Sequence, residues 1–340
     1  HITRFNNTTS GLQQKTIYML AKKFVSFKRD GNSFSIGGKQ LINNRSNISV
    51  VNGTVHCIES YIPYLSNIWE FIGKTPGLDS LRRYLYSQST YEFDVNASVE
   101  IGTNQNGQSV YDSVITFTNP VLSNIGMLHL EDSSYFALLP DNAAWIKAYN
   151  KIKNGYKTFG PGGDKIQHLN TQLALVNDLI FKYSTNDPTT VDSIVSTTGS
   201  IFRQPAYLFT NAKSYNLSNG KVWKTDSLRF KPSESWQKPV IIEAENSDYG
   251  RKSEYANIYV RSSLGSVFSN LVSDSKYLVV EPTTASNTTQ NAVTFPIPNS
   301  LSGKYNIYCV FVPANIAIES NTRPYKVSFF LSYMNASGTL

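Results

Sequence analysis

Histidine is scarce in this 340-residue chain: His1, His56, His129 and His168 are its only imidazoles. His56 has the neighbours that invite chemistry, because Cys57 follows it and Glu59 stands three positions on. Those are the residue types of a Cys-His pair or a metal site. On a strand, however, successive side chains point to opposite faces, so His56 and Cys57 diverge. Glu243 and Glu245 alternate on one face of an expected strand, the spacing that a cation site or a carboxylate pair requires. A solvated strand face is the plainer reading of that pair. Gly160-Pro161-Gly162-Gly163-Asp164 precedes a helical pattern, where an anion could rest on the helix N-terminus. Pro161 lacks an N–H and no Lys-Ser follows, so the segment reads as a loop. No Gly-x-Ser-x-Gly elbow, His-Glu-x-x-His pair or Walker-type loop occurs. Cys57 and Cys309 are too few for a disulfide framework, and each reads as a small buried residue on a strand. The expectation is therefore a binding protein, not an enzyme, with no cofactor and no metal beyond the Glu243–Glu245 pair.

The elements that must position these residues are marked by a recurring turn. Val51-Asn52-Gly53-Thr54-Val55-His56-Cys57-Ile58-Glu59-Ser60 has a partner in Ser218-Asn219-Gly220-Lys221-Val222-Trp223-Lys224-Thr225-Asp226-Ser227. Both read Asn-Gly-x-Val-aromatic, then an acidic residue and Ser. The spacing of 167 residues is that of a whole domain, not of a solenoid repeat. Asn-Gly favours a tight turn between paired strands because both residues tolerate positive φ. Each copy is thus read as the last hairpin of a domain. The residues expected to be exposed for contact are Asn52, Gly53 and His56, with Asn219, Gly220 and Trp223 at the second copy.

Between the copies, Leu78, Leu81, Tyr84 and Leu85 carry helical spacing after the Thr75-Pro76-Gly77 break. Val95 to Val121 reads as strands with an Asn106-Gly107 turn. Tyr135 to Leu139 is a buried-strand pattern ended by Pro140, after which Asp141 is a helix N-cap and Trp145, Tyr149 and Ile152 form one stripe. Ile166, Leu169, Leu173, Val176 and Ile180 predict a second amphipathic helix. Lys231 to Pro239 reads as a linker. Beyond it, runs such as Val240–Glu245, Ile258–Val260, Tyr277–Val280, Tyr305–Val312 and Tyr325–Phe330 predict an antiparallel sandwich. Tyr305, Tyr308, Tyr325 and Tyr333 could there form a sugar-stacking platform. The sequons Asn52-Gly53-Thr54 and Asn335-Ala336-Ser337 would carry glycans only in a eukaryotic secretory setting.

Composition agrees with a β-rich surface protein. Hydrophobic residues make up 40% and charged residues only 16%, Asn, Ser and Thr filling the difference, which excludes a disordered chain and a coiled coil. The net charge of +7 is spread over scattered pairs, without the stripe of a nucleic-acid binder. No stretch approaches 18 unbroken apolar residues.

The stretch Tyr135-Phe136-Ala137-Leu138-Leu139-Pro140-Asp141-Asn142-Ala143-Ala144-Trp145 resembles the first signature of fasciclin domains, and Val51 to Ser60 resembles their second. Lys231-Pro232-Ser233 followed by Glu243-Ala244-Glu245 looks like the fasciclin-like surface lipoproteins of Bacteroidetes, which append a β-sandwich. The resemblance covers about residues 35–236. It departs from the pattern at Trp223, where the signature has His, and the first copy lacks a counterpart of Phe136 to Trp145. What it implies is an α+β chain of fasciclin-like domains, small β-wedges with packed helices, followed by an all-β antiparallel sandwich. Residues 1–72 would be the C-terminal part of one fasciclin-like domain, 76–236 a second, and 240–340 a sandwich that could be truncated. It also implies that His56 belongs to a structural hydrogen-bonded cluster near an adhesion surface. The expected function is non-catalytic adhesion at the cell surface or outer membrane. The expected partner is an extracellular protein or polysaccharide, with no nucleic acid and membrane attachment only through an anchor outside residues 1–340. The alternative is glycan capture by the C-terminal sandwich acting as a carbohydrate-binding module.

Overall fold

A computed structural model describes residues 2–3, 6–248, 250–266, 268–284, 290–312, 326–335 and 338–339. His1, Tyr325 and the Ala336-Ser337 half of the second sequon lie outside the described residues. The chain divides into two compact units, one built from residues 1–151 and 171–235, the other from residues 152–170 and 236–340.

The first unit opens with an antiparallel meander, β1 (Gln14–Tyr18), β2 (Phe24–Asp30), β3 (Ser33–Ile36) and β4 (Lys39–Gln40), in sequence order. Period-two alternation sends Ile17, Met19, Val25 and Phe27 to one side, where they bury with Leu41 and Ile62. The opposite face leaves Tyr18 and Phe24 in water, their rings 4.9 Å apart. A short ribbon follows, β5 (Ile48–Val50) against β6 (Gly53–Val55).

Helix α1 (Ile68–Lys74) starts at a capping box: Asn67 Oδ1 accepts from Glu70 N, and the Glu70 carboxylate accepts from Asn67 N. Helix α2 (Asp79–Ser87) buries Leu81, Tyr84 and Leu85, with Leu78 buried at its cap, the spacing read above. A two-stranded arm follows. Strands β7 (Thr90–Phe93), β8 (Val99–Thr103), β9 (Ser109–Asp112) and β10 (Ile115–Thr118) pair as β7–β10 and β8–β9 around a turn at residues 104–108. Helix α3 (Pro120–Ile125) returns the chain, capped by the Asn119 side chain and with Pro at its first position.

Strand β11 (Tyr135–Pro140) is buried from Phe136 onward and leads into α4 (Asn142–Ile152). Asp141 caps that helix, its carboxylate accepting from Ala144 N at 2.8 Å, and Trp145 and Ile152 bury as the stripe predicted. Helix α5 (Gly163–Val176) forms where expected, but only the end of its predicted stripe buries. Ile166, Leu169 and Leu173 are exposed, whereas Val176 of that stripe is buried together with Thr171, Ala174 and Leu175. The sequence offers two apolar stripes on this helix, and tertiary packing takes the one rich in small residues. Ile180 falls instead in β12 (Ile180–Lys182).

Strands β13 (Ser193–Val195) and β14 (Ile201–Arg203) pair with each other, and β15 (Lys213–Leu217) and β16 (Gly220–Thr225) complete a sheet of order β12-β11-β16-β15. Its inner pair, β11 and β16, is parallel and the outer pairings are antiparallel. Phe136, Phe181, Phe202, Phe209 and Trp223, with Leu138, Ile194 and Leu208, form its largely aromatic core. At the end of this unit the Ser235 hydroxyl, buried, donates to Asp178 at 2.7 Å.

In the second unit, β17 (Lys252–Glu254) pairs with β20 (Ala292–Thr294), and β18 (Ala256–Ser262) pairs with β19 (Lys276–Pro282). The architecture is thus mixed α and β with several antiparallel sheets. The expected sandwich is not resolved: residues 240–246, 305–312 and 326–335 join no ladder among the described residues. Their apolar alternation satisfies the pattern of a strand but finds no partner edge there. Glu243 and Glu245 accordingly do not share a strand face. Glu243 accepts from the Ser273 hydroxyl at 2.6 Å, and the Arg251 guanidinium donates to the backbone carbonyls of Ala244 and Glu245. Both cysteines are free thiols, but neither matches the buried-strand reading, since Cys57 is half-buried and Cys309 exposed.

Candidate functional site

The two Asn-Gly segments share a register. In each hairpin the glycine pairs with the last residue of the preceding strand, Val50 with Gly53 and Leu217 with Gly220. The two-residue loops are therefore Val51-Asn52 and Ser218-Asn219, one position earlier than Asn-Gly itself. Gly220 is required there, because φ is +142° and a Cβ would meet the Tyr135 carbonyl oxygen at 1.9 Å.

Their surroundings differ. Ribbon β5–β6 stands apart from the larger sheets, with Asn52 exposed and Val50, Val51 and Val55 in water. His56 is tethered: Nε2 lies 2.7 Å from the Asn7 carbonyl, Nδ1 faces Asn47 N at 3.4 Å, and the ring stands edge-on to Phe27. The ring thereby clamps three segments of the chain together. At the second copy Asn219 is fully buried and Trp223 is 4% exposed. The expectation that both present themselves for contact is corrected here. Asn219 Oδ1 accepts from Ile68 N at 2.9 Å, and its Nδ2 donates to the carbonyls of Leu128 and Leu130. A side chain that satisfies three buried backbone groups is part of the frame. Trp223 fills the core because β16 is an inner strand.

The same loop closes over a buried ammonium. Lys23 is ion-paired to Glu70 and Glu131 and donates to the Ser218 hydroxyl, with only 5% of its side chain in water. Asn67 Nδ2 also donates to Glu131, and the Tyr64 hydroxyl donates to Glu70 at 2.6 Å. Burial and the Glu70 carboxylate push the Tyr64 phenol up to about 12. Burial alone would raise the Glu70 carboxyl, but the hydrogen bonds from Tyr64 and Lys23 outweigh it and hold it below its ordinary value. Every charged group in this cluster is compensated, which makes it a rivet and not a reactive centre.

Ser218 also borders a cleft of about 430 Å³ at the end of the sheet where β11 and β16 begin. Ser134, the loop Tyr183-Ser184-Thr185-Asn186-Asp187-Pro188 and, from the β15–β16 hairpin, Asn216, Leu217, Ser218, Gly220 and Lys221 line it. The Tyr183 ring is half in water and rests 4.9 Å from Phe136. Asp187 accepts from the Thr189 hydroxyl and backbone, which with Lys221 at 3.3 Å hold its carboxyl below the usual range. Lys221 also lies over the Trp223 ring. The charges of the cleft thus neutralise each other, leaving hydroxyls, amides and one aromatic face toward a ligand. Among the described residues no group of three His, Cys, Asp or Glu is placed to hold a metal. Sequence reading did not find Tyr183, Asp187 or Lys221 as a group. An exposed tyrosine heading a Ser-Thr-Asn-Asp-Pro run was the available signal, but only the sheet order brings it to the β15–β16 turn.

No family model matches the chain, and no curated protein matches it. Among solved structures it is similar to one described as "Novel Fold Revealed by the Structure of a FAS1 Domain Pair from the Insect Cell Adhesion Molecule Fasciclin I". Identity is 10%, the TM-score is 0.28, and the match covers 65% of this chain and 73% of that one. At that identity no residue role passes from that structure to this chain.

Proposed function

We propose that this chain is a non-catalytic, extracytoplasmic binding protein of the cell surface. It would be built on fasciclin-like parts of the kind found in Bacteroidetes surface lipoproteins and would hold an extracellular polysaccharide. The observation that carries the reading is the cleft, whose two charges cancel and whose remaining groups suit a neutral polyol. Hydroxyls and amides exchange hydrogen bonds with sugar hydroxyls, and the exposed face of Tyr183 offers a platform for the apolar side of a pyranose. Adhesion would follow from several such shallow contacts, with the division 1–72, 76–236 and 240–340 supplying separate surfaces. A second reading places sugar capture on the C-terminal unit, favoured by Tyr305, Tyr308 and Tyr333, which are at least half exposed and not in a core.

A glycan array probed with the full chain tests both. Binding lost in Tyr183→Ala and kept in Tyr308→Ala supports the cleft. The reverse pattern supports the C-terminal unit. A full chain that binds no glycan on the array overturns both sugar readings.

A further inference from the structure

Charge compensation closes the rivet to outside reagents, but three of its members are placed to react with one another. Lys23, Asn67 and Glu131 are each more than nine-tenths buried. One oxygen, Oε1 of Glu131, accepts from both of the others: from Lys23 Nζ, and from Asn67 Nδ2 at 3.0 Å. A primary amine and a carboxamide nitrogen thus share a single carboxylate oxygen. The carbonyl of the same amide is polarised, because Asn67 Oδ1 accepts from Glu70 N at 2.8 Å.

A desolvated lysine beside a base is a nucleophile, and an amide carbon whose oxygen is held by an N–H is an electrophile. Glu131 is the carboxylate suited to be that base. Glu70 is committed elsewhere: it accepts from the Tyr64 hydroxyl, Lys23 Nζ and Asn67 N, and hydrogen bonding keeps its carboxyl below its ordinary value.

We propose that Lys23 and Asn67 join through an intramolecular isopeptide bond, with Glu131 as the proton shuttle. Burial disfavours the charged forms, so Glu131 takes a proton from the Lys23 ammonium. The freed amine attacks Cγ of Asn67, and the negative charge that develops on Oδ1 is held by the Glu70 N–H. The Cγ–Nδ2 bond then breaks as Glu131 passes protons from Nζ to Nδ2. Of the three ammonium protons, one stays on the new amide and two depart with Nδ2 as an ammonium ion. Glu131 ends as the carboxylate it began, and no oxidant, reductant or co-reactant is consumed. The fold supplies the encounter, which is what lets an amine attack an otherwise inert amide. The bond ties the residue that precedes β2 to the N-cap of α1.

Intact mass spectrometry of the unfolded full chain tests this. The wild type is expected to be lighter than its sequence by one ammonia, about 17 Da. A digest is expected to yield a branched peptide joining residues 23 and 67. Lys23→Arg, which keeps the positive charge, and Glu131→Gln, which keeps an acceptor for Asn67, are each expected at full sequence mass. A wild-type chain at full mass overturns the proposal. So does the same loss confined to Asn67 without a branch, the signature of that side chain cyclising onto its own backbone. A branch that persists in folded Glu131→Gln overturns the shuttle. If a variant fails to fold, the wild-type mass and digest decide the matter.

Discussion

Lys23 shows how much a single residue governs here. Its ammonium and the Glu131 carboxylate are both nearly excluded from water, with side chains 5% and 6% exposed. Lys23→Met leaves that carboxylate buried and unpaired, and the expected loss is about 3–5 kcal/mol in denaturant unfolding. Lys23→Met/Glu131→Gln should recover much of it, since Gln still accepts from Asn67. His129 makes a different kind of statement. Its ring packs on Phe117 at 4.6 Å, and its Nδ1 has no hydrogen-bond partner among the described residues. Burial, helped by Lys22 and opposed by Asp132, holds the imidazole below its ordinary value of 6.5. The unfolded chain then takes up this proton before the folded one does. Stability from this group is full above about 6.5 and drains as pH falls through the lowered folded value. In His129→Phe, thermal melts recorded on the acid side of 6.5 should show a shallower decline with pH than the wild type.

Among elements, the two hairpins invite a direct comparison. Asn219→Ala strips partners from Ile68 N and from the Leu128 and Leu130 carbonyls, all in the interior, and should cost more than about 2 kcal/mol. Asn52→Ala, at the matching loop position in water, should stay within about 0.5 kcal/mol. Chemical unfolding of the pair of variants measures the contrast. The hairpins themselves were readable from sequence, as were α2 and the capped start of α4, because local spacing and turn chemistry decide them. The loop register was missed by one residue, since Asn-Gly marks a turn without saying which of its bonds closes the ladder. The buried stripe of α5 was misread because two faces of that helix are apolar and only tertiary contacts choose between them. The strands expected at Tyr305–Val312 and Tyr325–Phe330 find no ladder among the described residues for a related reason: alternation describes a strand's faces but not the edge it must pair with. The cleft was illegible, because residues 183–188 and 216–221 become neighbours only through a sheet order that no local signal encodes.

At the scale of the molecule, the arm and the compact body obey different economies. Residues 95–113 place Val95, Val99, Ile101 and Val110 in water and add nothing to the core clusters. Replacing them by a short Asn-Gly turn should move the melting midpoint by no more than about 4 °C, a shift on the order of 1 kcal/mol, as read by calorimetry. If the midpoint falls much further, the arm is structural. The rivet has a consequence for how the chain is made. Lys23 leaves the ribosome 108 residues ahead of Glu131 and 195 ahead of Ser218. At about 5–20 residues per second, the gap to Glu131 lasts roughly 5–20 s. Until it closes, the nascent amino-terminal meander carries a cation without its full set of counterions, and a chaperone that shields basic segments during translation would find its substrate there.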